Sequence, residues 1–120
     1  MKAGRYWVGD LCYIMPDEEW REVCRFMGNG SEPIEGVFRL GEHEGAIFGT
    51  AHGDGVYRDQ FKNSYGVDSG TIGIFPAGVF GGQFVLGGHF IDFPEDFEVS
   101  SDRGNMQFGH IKIKTRGRSQ

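Results

Sequence analysis

The fold class can be predicted mainly from residues 50–75, TAHGDGVYRDQFKNSYGVDSGTIGIF. Three short runs of aromatic and branched residues, at about 55–58, 64–68 and 70–75, alternate in it with Gly, Asp, Asn and Ser. Apolar runs of about four to eight residues bounded by such turn formers are typical of β-strands. The segment therefore predicts short antiparallel strands joined by tight turns, and its many polar side chains raise the question of a site.

Similar strand patterns continue on both sides of this segment. VFRLGEHEGAIFGTA, residues 37–51, predicts a hairpin around GEHEG, because two apolar runs flank a polar, glycine-containing turn. Residues 5–15 also predict a strand, and further strands are expected at 83–93, 96–101 and 105–115. SDRGN joins the last two as a turn. A bulge at Gly109 would keep the apolar side chains of the last strand on one face.

One segment follows a helical period rather than a strand period. The apolar side chains of PDEEWREVCRFMG, residues 16–28, form a single stripe: Trp20, Val23, Cys24 and Met27. Pro16 suits the first helical position, three acidic residues follow it at the positive end of the helix dipole, and Gly28 is a natural stop. The sequence therefore predicts one helix, at about 16–27.

Glycine is unusually frequent, since 21 of the 120 residues are glycine, against about 7% in an average protein. Glycine spread between short apolar runs indicates many turns and bulges, and hence a β-dominated fold. We expect a β-dominated α+β domain of seven to nine short antiparallel strands, arranged as a partly closed barrel or sandwich with one covering helix. A single domain spans residues 1–120, with a flexible tail at about 116–120.

Charge and composition bound the partners and the compartment. The formal net charge of −5 argues against general nucleic-acid binding, which usually needs a strongly basic domain. No apolar run reaches the roughly 18 residues of a membrane span, and MKAGRYWVGD lacks a signal-peptide core. We therefore expect a cytoplasmic protein without membrane contact. Cys12 and Cys24 are expected to be free thiols, and homo-oligomer formation is left open.

The polar side chains of residues 50–75 have two interpretations. Asp54 stands between two glycines, and Asp and Gly supply the backbone angles of tight turns. In the other interpretation, an imidazole and several carboxylates meet at one rim of the sheet and hold a divalent cation. The residues for such a cation site are His52, Asp54, Asp59, Asp68 and Asp10. No other cofactor is expected, and we predict that the aspartates at 10, 54 and 68 lie close together.

Other reactive side chains fit structural roles better. Ser69 lacks the G-x-S-x-G frame of a nucleophile turn, since Val67 stands where Gly is required. Cys12 is more typical of a strand core than of a nucleophile. His43 is expected to be solvated, and His89 to be hydrogen-bonded in the core or at a rim. A basic stripe near the C-terminus consists of Lys112, Lys114, Arg116 and Arg118. It is either a solvated face or a contact for an anionic ligand or partner.

Three motifs, GDLCY, GDGVY and GVDSGTIG, occur in this order and are followed by FGHIKIKT. This order resembles a set of uncharacterised small β-rich proteins of bacteria and phages, over nearly the whole chain. The residues that carry the resemblance are Gly9, Asp10, Cys12, Tyr13, Gly53, Asp54, Gly55, Tyr57, Val67, Asp68, Ser69 and Gly70. The resemblance implies a phage accessory or counter-defence context, in which small proteins bind and neutralise host factors or signalling nucleotides.

These observations favour a small binding protein over an enzyme. Rigid turns would form a pocket wall for a small anionic or nucleotide-like ligand, or for a host protein, with tyrosine rings stacking and carboxylates accepting hydrogen bonds. The expected ligand-binding residues are Asp10, Tyr13, His52, Asp54, Tyr57, Arg58, Tyr65, Asp68 and Ser69. One alternative is a metal-dependent phosphoester hydrolase that uses the same carboxylates and His52. Another is an acidic protein-binding inhibitor, whose acidic runs are PDEEW, EHE and PEDFE.

Overall fold

The computed structural model of the protein describes residues 1–28, 34–80 and 87–116. These residues form ten strands in three antiparallel sheets, together with one α-helix and one short 3-10 helix. The elements are β1 (Gly4–Gly9), the 3-10 helix (Leu11–Tyr13), α1 (Asp17–Met27), β2 (Gly36–Leu40), β3 (His43–Gly49), β4 (Gly55–Arg58), β5 (Ser64–Val67), β6 (Thr71–Pro76), β7 (Gly88–Phe93), β8 (Val99–Asp102), β9 (Asn105–Phe108) and β10 (Ile111–Lys114). The predicted β-dominated fold with one covering helix is confirmed, and its ten strands exceed the seven to nine expected because one predicted strand is a hairpin of two.

The largest sheet is buried on both of its faces. It has the strand order β2-β3-β6-β1-β7, and its central strands therefore read as nearly continuous apolar runs rather than as an alternation. On one face Trp7, Ile47 and Phe75 pack against Leu11 of the 3-10 helix and Val23 of α1. The helix thus covers the sheet through its apolar stripe, as expected for an amphipathic helix.

The opposite face of this sheet packs on a second layer made of two smaller sheets. These sheets are β10-β9-β8 and the hairpin β4-β5. The core between the layers includes Tyr57, Tyr65, Phe108 and Ile113, each at most 1% exposed. The contacts that join the separate sheets at their edges include a bridge between Asp59 and Ile113 and a hydrogen bond of 3.1 Å from Gly66 N–H to the Gly87 carbonyl. The result is a partly closed sandwich.

Two strand predictions were wrong in their extent. The strand predicted at 5–15 ends at Gly9, because the Asp10 side chain accepts from the Cys12 N–H and starts the 3-10 helix instead. The strand predicted at 105–115 is a hairpin of two strands, β9 and β10. Gly109 is its turn residue, with a φ of +57°, and not a bulge. This turn keeps Met106, Phe108, Ile111 and Ile113 on the core side.

The helix agrees with its prediction except at two positions: Pro16 is the N-cap before the first helical residue, Asp17, and Cys24 lies off the buried stripe. Val23 is buried, and Trp20 and Met27 are half-buried, but Cys24 is exposed and does not belong to the core stripe. Parts of three predicted features lie outside the described residues: the loop around 29–33, the start of the strand predicted at 83–93, and the tail beyond Arg116. Within the described ranges, no helix combines the length and apolarity that a membrane crossing requires.

Candidate functional site

A buried carboxylate anchors the candidate site. Asp10 is 0% exposed and lies between β1 and the 3-10 helix. Its Oδ2 accepts from the backbone N–H groups of Asp68 and Ser69, each at 2.7 Å. Its Oδ1 accepts from the Ser69 hydroxyl at 2.8 Å and from the Cys12 N–H at 3.1 Å. We call this arrangement the Asp10 clamp. It satisfies a charge that would otherwise be costly to bury, and it holds the turn between β5 and β6.

The clamp leaves the side chain of Asp68 at the surface. Asp68 is exposed, and its carboxylate accepts a hydrogen bond from the hydroxyl of the half-buried Tyr13. This bond, together with burial and the charge of Asp68, raises the pKa of the Tyr13 hydroxyl. The Tyr13 ring also lies directly over Gly87, where an added methyl group would come within 2.8 Å of it. Tyr13 is therefore fixed from two sides.

Asp54 reaches the same place from the turn between β3 and β4. The Thr50 N–H donates to the Gly70 carbonyl at 2.9 Å, which joins this turn to the one held by the clamp. An added methyl group at Gly70 would lie 4.0 Å from Asp54 Oδ1. We call the surface formed by Tyr13, Asp54, Asp68 and Ser69 the acidic rim, a name that excludes the buried Asp10 beneath it.

The thiol of Cys12 adjoins the Asp10 clamp, and the Cys12 N–H donates to Asp10 Oδ1. Burial raises the pKa of the thiol to about 12, and the hydrogen bond to Asp10 and the charges of Asp10, Asp68 and Asp54 add to the rise. A thiol that stays protonated is a poor nucleophile. The hydrogen bonds from the 68–69 backbone to Asp10, and the approach of Asp54 to Gly70, place these aspartates about the same turn. The raised pKa gives Cys12 no catalytic activation.

Two predicted site residues belong to the core instead. Tyr57 and Tyr65 are 1% and 0% exposed, because both point inward from the β4-β5 hairpin. The Tyr57 hydroxyl donates to the Gly53 carbonyl at 2.8 Å, and the Tyr65 hydroxyl donates to Asp59 at 2.8 Å. Their rings cannot stack on a ligand while the sandwich is folded, so the prediction of a cleft lined by three tyrosines was wrong for these two.

Asp59 has a structural role at the far end of β4. Its carboxylate accepts from the N–H groups of Phe61 and Asn63, from the Asn63 side chain and from Tyr65. Asp59 lies five positions after Asp54, across the four residues of β4, which corresponds to roughly 16 Å of extended chain, so the two carboxylates do not share a site. Among the described residues, no group of three or more His, Cys, Asp or Glu side chains is arranged to hold a metal ion.

The remaining predicted residues lie at the surface or in supporting positions. His52 and Arg58 are exposed; His52 shares the turn of Asp54, whereas Arg58 lies beside Asp59. His89 contacts the Ser64 carbonyl through Nε2 at 2.7 Å and the edge of the Tyr65 ring, which agrees with its predicted supporting role. His43 was predicted to be solvated, but it is half-buried against Phe75, with ring centroids 6.1 Å apart.

One participant in the site was missed by sequence reasoning. The hydroxyls of Thr71 and Ser69 lie 2.6 Å apart, and Thr71 is 8% exposed. Thr71 thus extends the Asp10 clamp into the first residue of β6. Its position directly after a turn glycine was the available signal, since a hydroxyl there can bond back to the turn.

Comparisons with protein-family models, with curated proteins and with solved structures found no match to this chain.

Proposed function

We propose that this chain is a small binding protein whose acidic rim receives the hydrogen-bond donors of a nucleotide-like ligand. The Asp10 clamp is the observation that carries the proposal. It consumes the backbone donors of the turn at 68–69 and leaves the carboxylates of Asp54 and Asp68 exposed. Within the described part of the chain, neither carboxylate forms an ion pair.

The chemistry of the rim selects one end of such a ligand. Ionised carboxylates only accept hydrogen bonds, and ribose hydroxyls and exocyclic amino groups of bases donate them. A phosphate group would be repelled by Asp54 and Asp68, so the nucleoside end faces the rim. The Tyr13 hydroxyl is already committed to Asp68, which orients the carboxylate before a ligand arrives. Such preorganisation lowers the entropic cost of binding.

Sequestration of a nucleotide-like ligand agrees with the counter-defence context that the motif resemblance implies. A host protein that presents lysine or arginine side chains is the other partner with matching chemistry, because ammonium and guanidinium groups are also donors. No observation specifically favours the hydrolase, because the described residues supply no cluster of metal ligands. No observation favours the acidic inhibitor either.

The test is a thermal-shift series with the common nucleosides and nucleotides. A ligand that binds the folded state raises the melting temperature. The rim variant is Asp54→Asn with Asp68→Asn. The matched control is Glu95→Gln with Glu98→Gln, which removes the same two charges from exposed positions elsewhere.

We expect a stabilising nucleoside or nucleotide for the wild type and the control, and loss of the shift in the rim variant. Each lost bond to a charged acceptor is worth about 1.5–3 kcal/mol, or roughly one to two decades in affinity. A ligand that stabilises the rim variant as strongly as the wild type would refute this site. A partner protein captured by the wild type but not by the rim variant, with no nucleoside response, would replace the ligand class.

A further inference from the structure

The outer face of the sheet β10-β9-β8 differs in charge from the rest of the chain. Side chains at alternate positions point outward from its three strands, and we call them the outer face: Ser100, Asp102, Asn105, Gln107, Lys112 and Lys114. They line a shallow groove of about 310 Å³. The chain as a whole has 17 acidic and 12 basic residues, yet this groove contains two lysines and a single carboxylate among its described lining residues.

The two lysines have neutral partners across the strands. Lys112 is in register with Gln107, and Lys114 is in register with Asn105. Oppositely charged residues at such positions would stabilise the sheet, and a chain rich in acidic residues has placed amides there instead. Among the described residues, neither lysine forms an ion pair.

The one carboxylate of the groove is already neutralised. Asp102 Oδ1 lies 3.4 Å from Arg103 Nε, and its Oδ2 lies 3.7 Å from a terminal nitrogen of Arg116. Two arginines therefore offset one aspartate. The face keeps its positive character where Lys112 and Lys114 project.

The neutral side chains of the face supply hydrogen-bond donors. Asn105 Oδ1 accepts from the Arg116 N–H at 3.0 Å, which leaves the amide nitrogen of Asn105 as a donor. The Ser100 hydroxyl is a second donor on the neighbouring strand. Lysine, serine and asparagine are among the side chains that hold phosphate oxygens in proteins, and two lysines spaced by two strand residues present their charges about 7 Å apart.

We infer that the outer face binds an oligophosphate group, with Lys112 and Lys114 as its principal cations. This site is separate from the acidic rim and does not depend on the function proposed for the rim. The face has no exposed aromatic ring among its described residues, so stacking on bases contributes nothing and the charge of the phosphates carries the binding.

The experiment measures the binding of tripolyphosphate by isothermal titration calorimetry, at about 0.01 M and about 0.15 M ionic strength. The test variant is Lys112→Gln with Lys114→Gln. The matched control, Lys2→Gln with Arg21→Gln, removes two charges from exposed positions elsewhere. A third protein, Lys112→Arg with Lys114→Arg, retains the charge. All substituted positions are exposed, so the melting temperatures should stay close to that of the wild type.

We expect the wild type to bind tripolyphosphate, with an affinity that falls as salt is added. The glutamine variant should lose at least about tenfold in affinity, whereas the control and the arginine variant should stay within about threefold of the wild type. The absence of tripolyphosphate binding at low salt, or an equal loss in the control, would overturn the inference.

Discussion

Replacement of Asp10 by alanine tests the clamp that holds the candidate site together. The change removes the acceptor of three backbone N–H groups and of the Ser69 hydroxyl, and also the hydrogen-bond partner of the Cys12 thiol. It also opens a small cavity at a side chain that is 0% exposed. We therefore expect Asp10→Ala to destabilise the whole domain and to release the turn between β5 and β6.

The magnitude follows from the donors that are left behind. A buried donor without a partner costs about 1–3 kcal/mol, and removal of one member of a buried charged network costs about 3–5 kcal/mol. Asp68 and Ser69 are exposed residues, so water can reach part of the released turn. We expect a loss of about 3–5 kcal/mol, which is a large part of the roughly 5–15 kcal/mol that stabilises an ordinary domain.

The isosteric change Asp10→Asn should be milder, for a reason visible in the geometry. An asparagine oxygen at the Oδ2 position still accepts from the N–H groups of Asp68 and Ser69. The amide nitrogen then occupies the Oδ1 position, where the Ser69 hydroxyl can rotate and accept from it. Only the Cys12 N–H is left facing a donor. The expected loss is about 1.5–3 kcal/mol.

Urea unfolding followed by tryptophan fluorescence gives these free energies, since Trp7 lies in the core. The control is Asp92→Ala, which removes an exposed carboxylate whose ion pair with Arg5 spans 3.7 Å; exposed pairs contribute about 0–1 kcal/mol. If Asp10→Ala costs no more than Asp92→Ala, or no more than Asp10→Asn, the clamp is not the stabilising device described above.

Three further predictions concern pH, thiol reactivity and a turn. Burial raises the pKa of Asp59, but the hydrogen bonds from Tyr65, Asn63 and Phe61 outweigh burial and hold the pKa below its usual range. The stability that Asp59 contributes is therefore present above about pH 4 and is lost as the pH falls further. Asp59→Asn should be less stable at neutral pH, and its melting temperature should fall less steeply with acid than that of the wild type. A parallel fall of the melting temperature in wild type and variant would contradict this. The pKa of Cys12 is raised to about 12 and Cys24 is exposed, so iodoacetamide at pH 8 should alkylate Cys24 first. Mass spectrometry of a partial reaction measures the order of labelling. Faster labelling of Cys12 would contradict the raised pKa of its thiol. Gly109→Ala should lower the free energy of unfolding in urea by about 1–2 kcal/mol, because Gly109 has a φ of +57°. A methyl group there would also lie 3.0–3.1 Å from atoms of Phe93 and Phe97. An unchanged urea midpoint would show that the turn tolerates a side chain.

The sequence determined those features whose causes lie close together along the chain. The apolar stripe and the terminal signals of α1 involve residues three or four positions apart, and each hairpin turn involves neighbouring residues. Such local signals act before any tertiary contact exists. The helix, the hairpin β2-β3 and the turn at Arg103 and Gly104 could therefore be predicted, as could the β-dominated class.

The tertiary structure decided which polar and aromatic side chains are available at the surface. Strand alternation shows that two sets of side chains point in opposite directions, but only the packing of the second layer shows which set is inside. Tyr57 and Tyr65 were assigned to a binding cleft for this reason, and they are in the core. The tyrosine hydroxyl does not predict exposure, because a tyrosine can be buried when its hydroxyl has a hydrogen-bond acceptor, and the sequence does not show that acceptor.

The Asp10 clamp shows the same limit for charge. Asp10 and Ser69 are 59 positions apart, and the sequence placed both among the candidate residues because each adjoins turn-forming residues. It could not show that the carboxylate of Asp10 is consumed by the backbone of the other turn, whereas Asp54 and Asp68 remain exposed. This difference in exposure depends on how the end of β1 packs against the turn between β5 and β6. A carboxylate can be buried without a large energetic cost only where several donors converge on it, and these donors come together only in the folded chain.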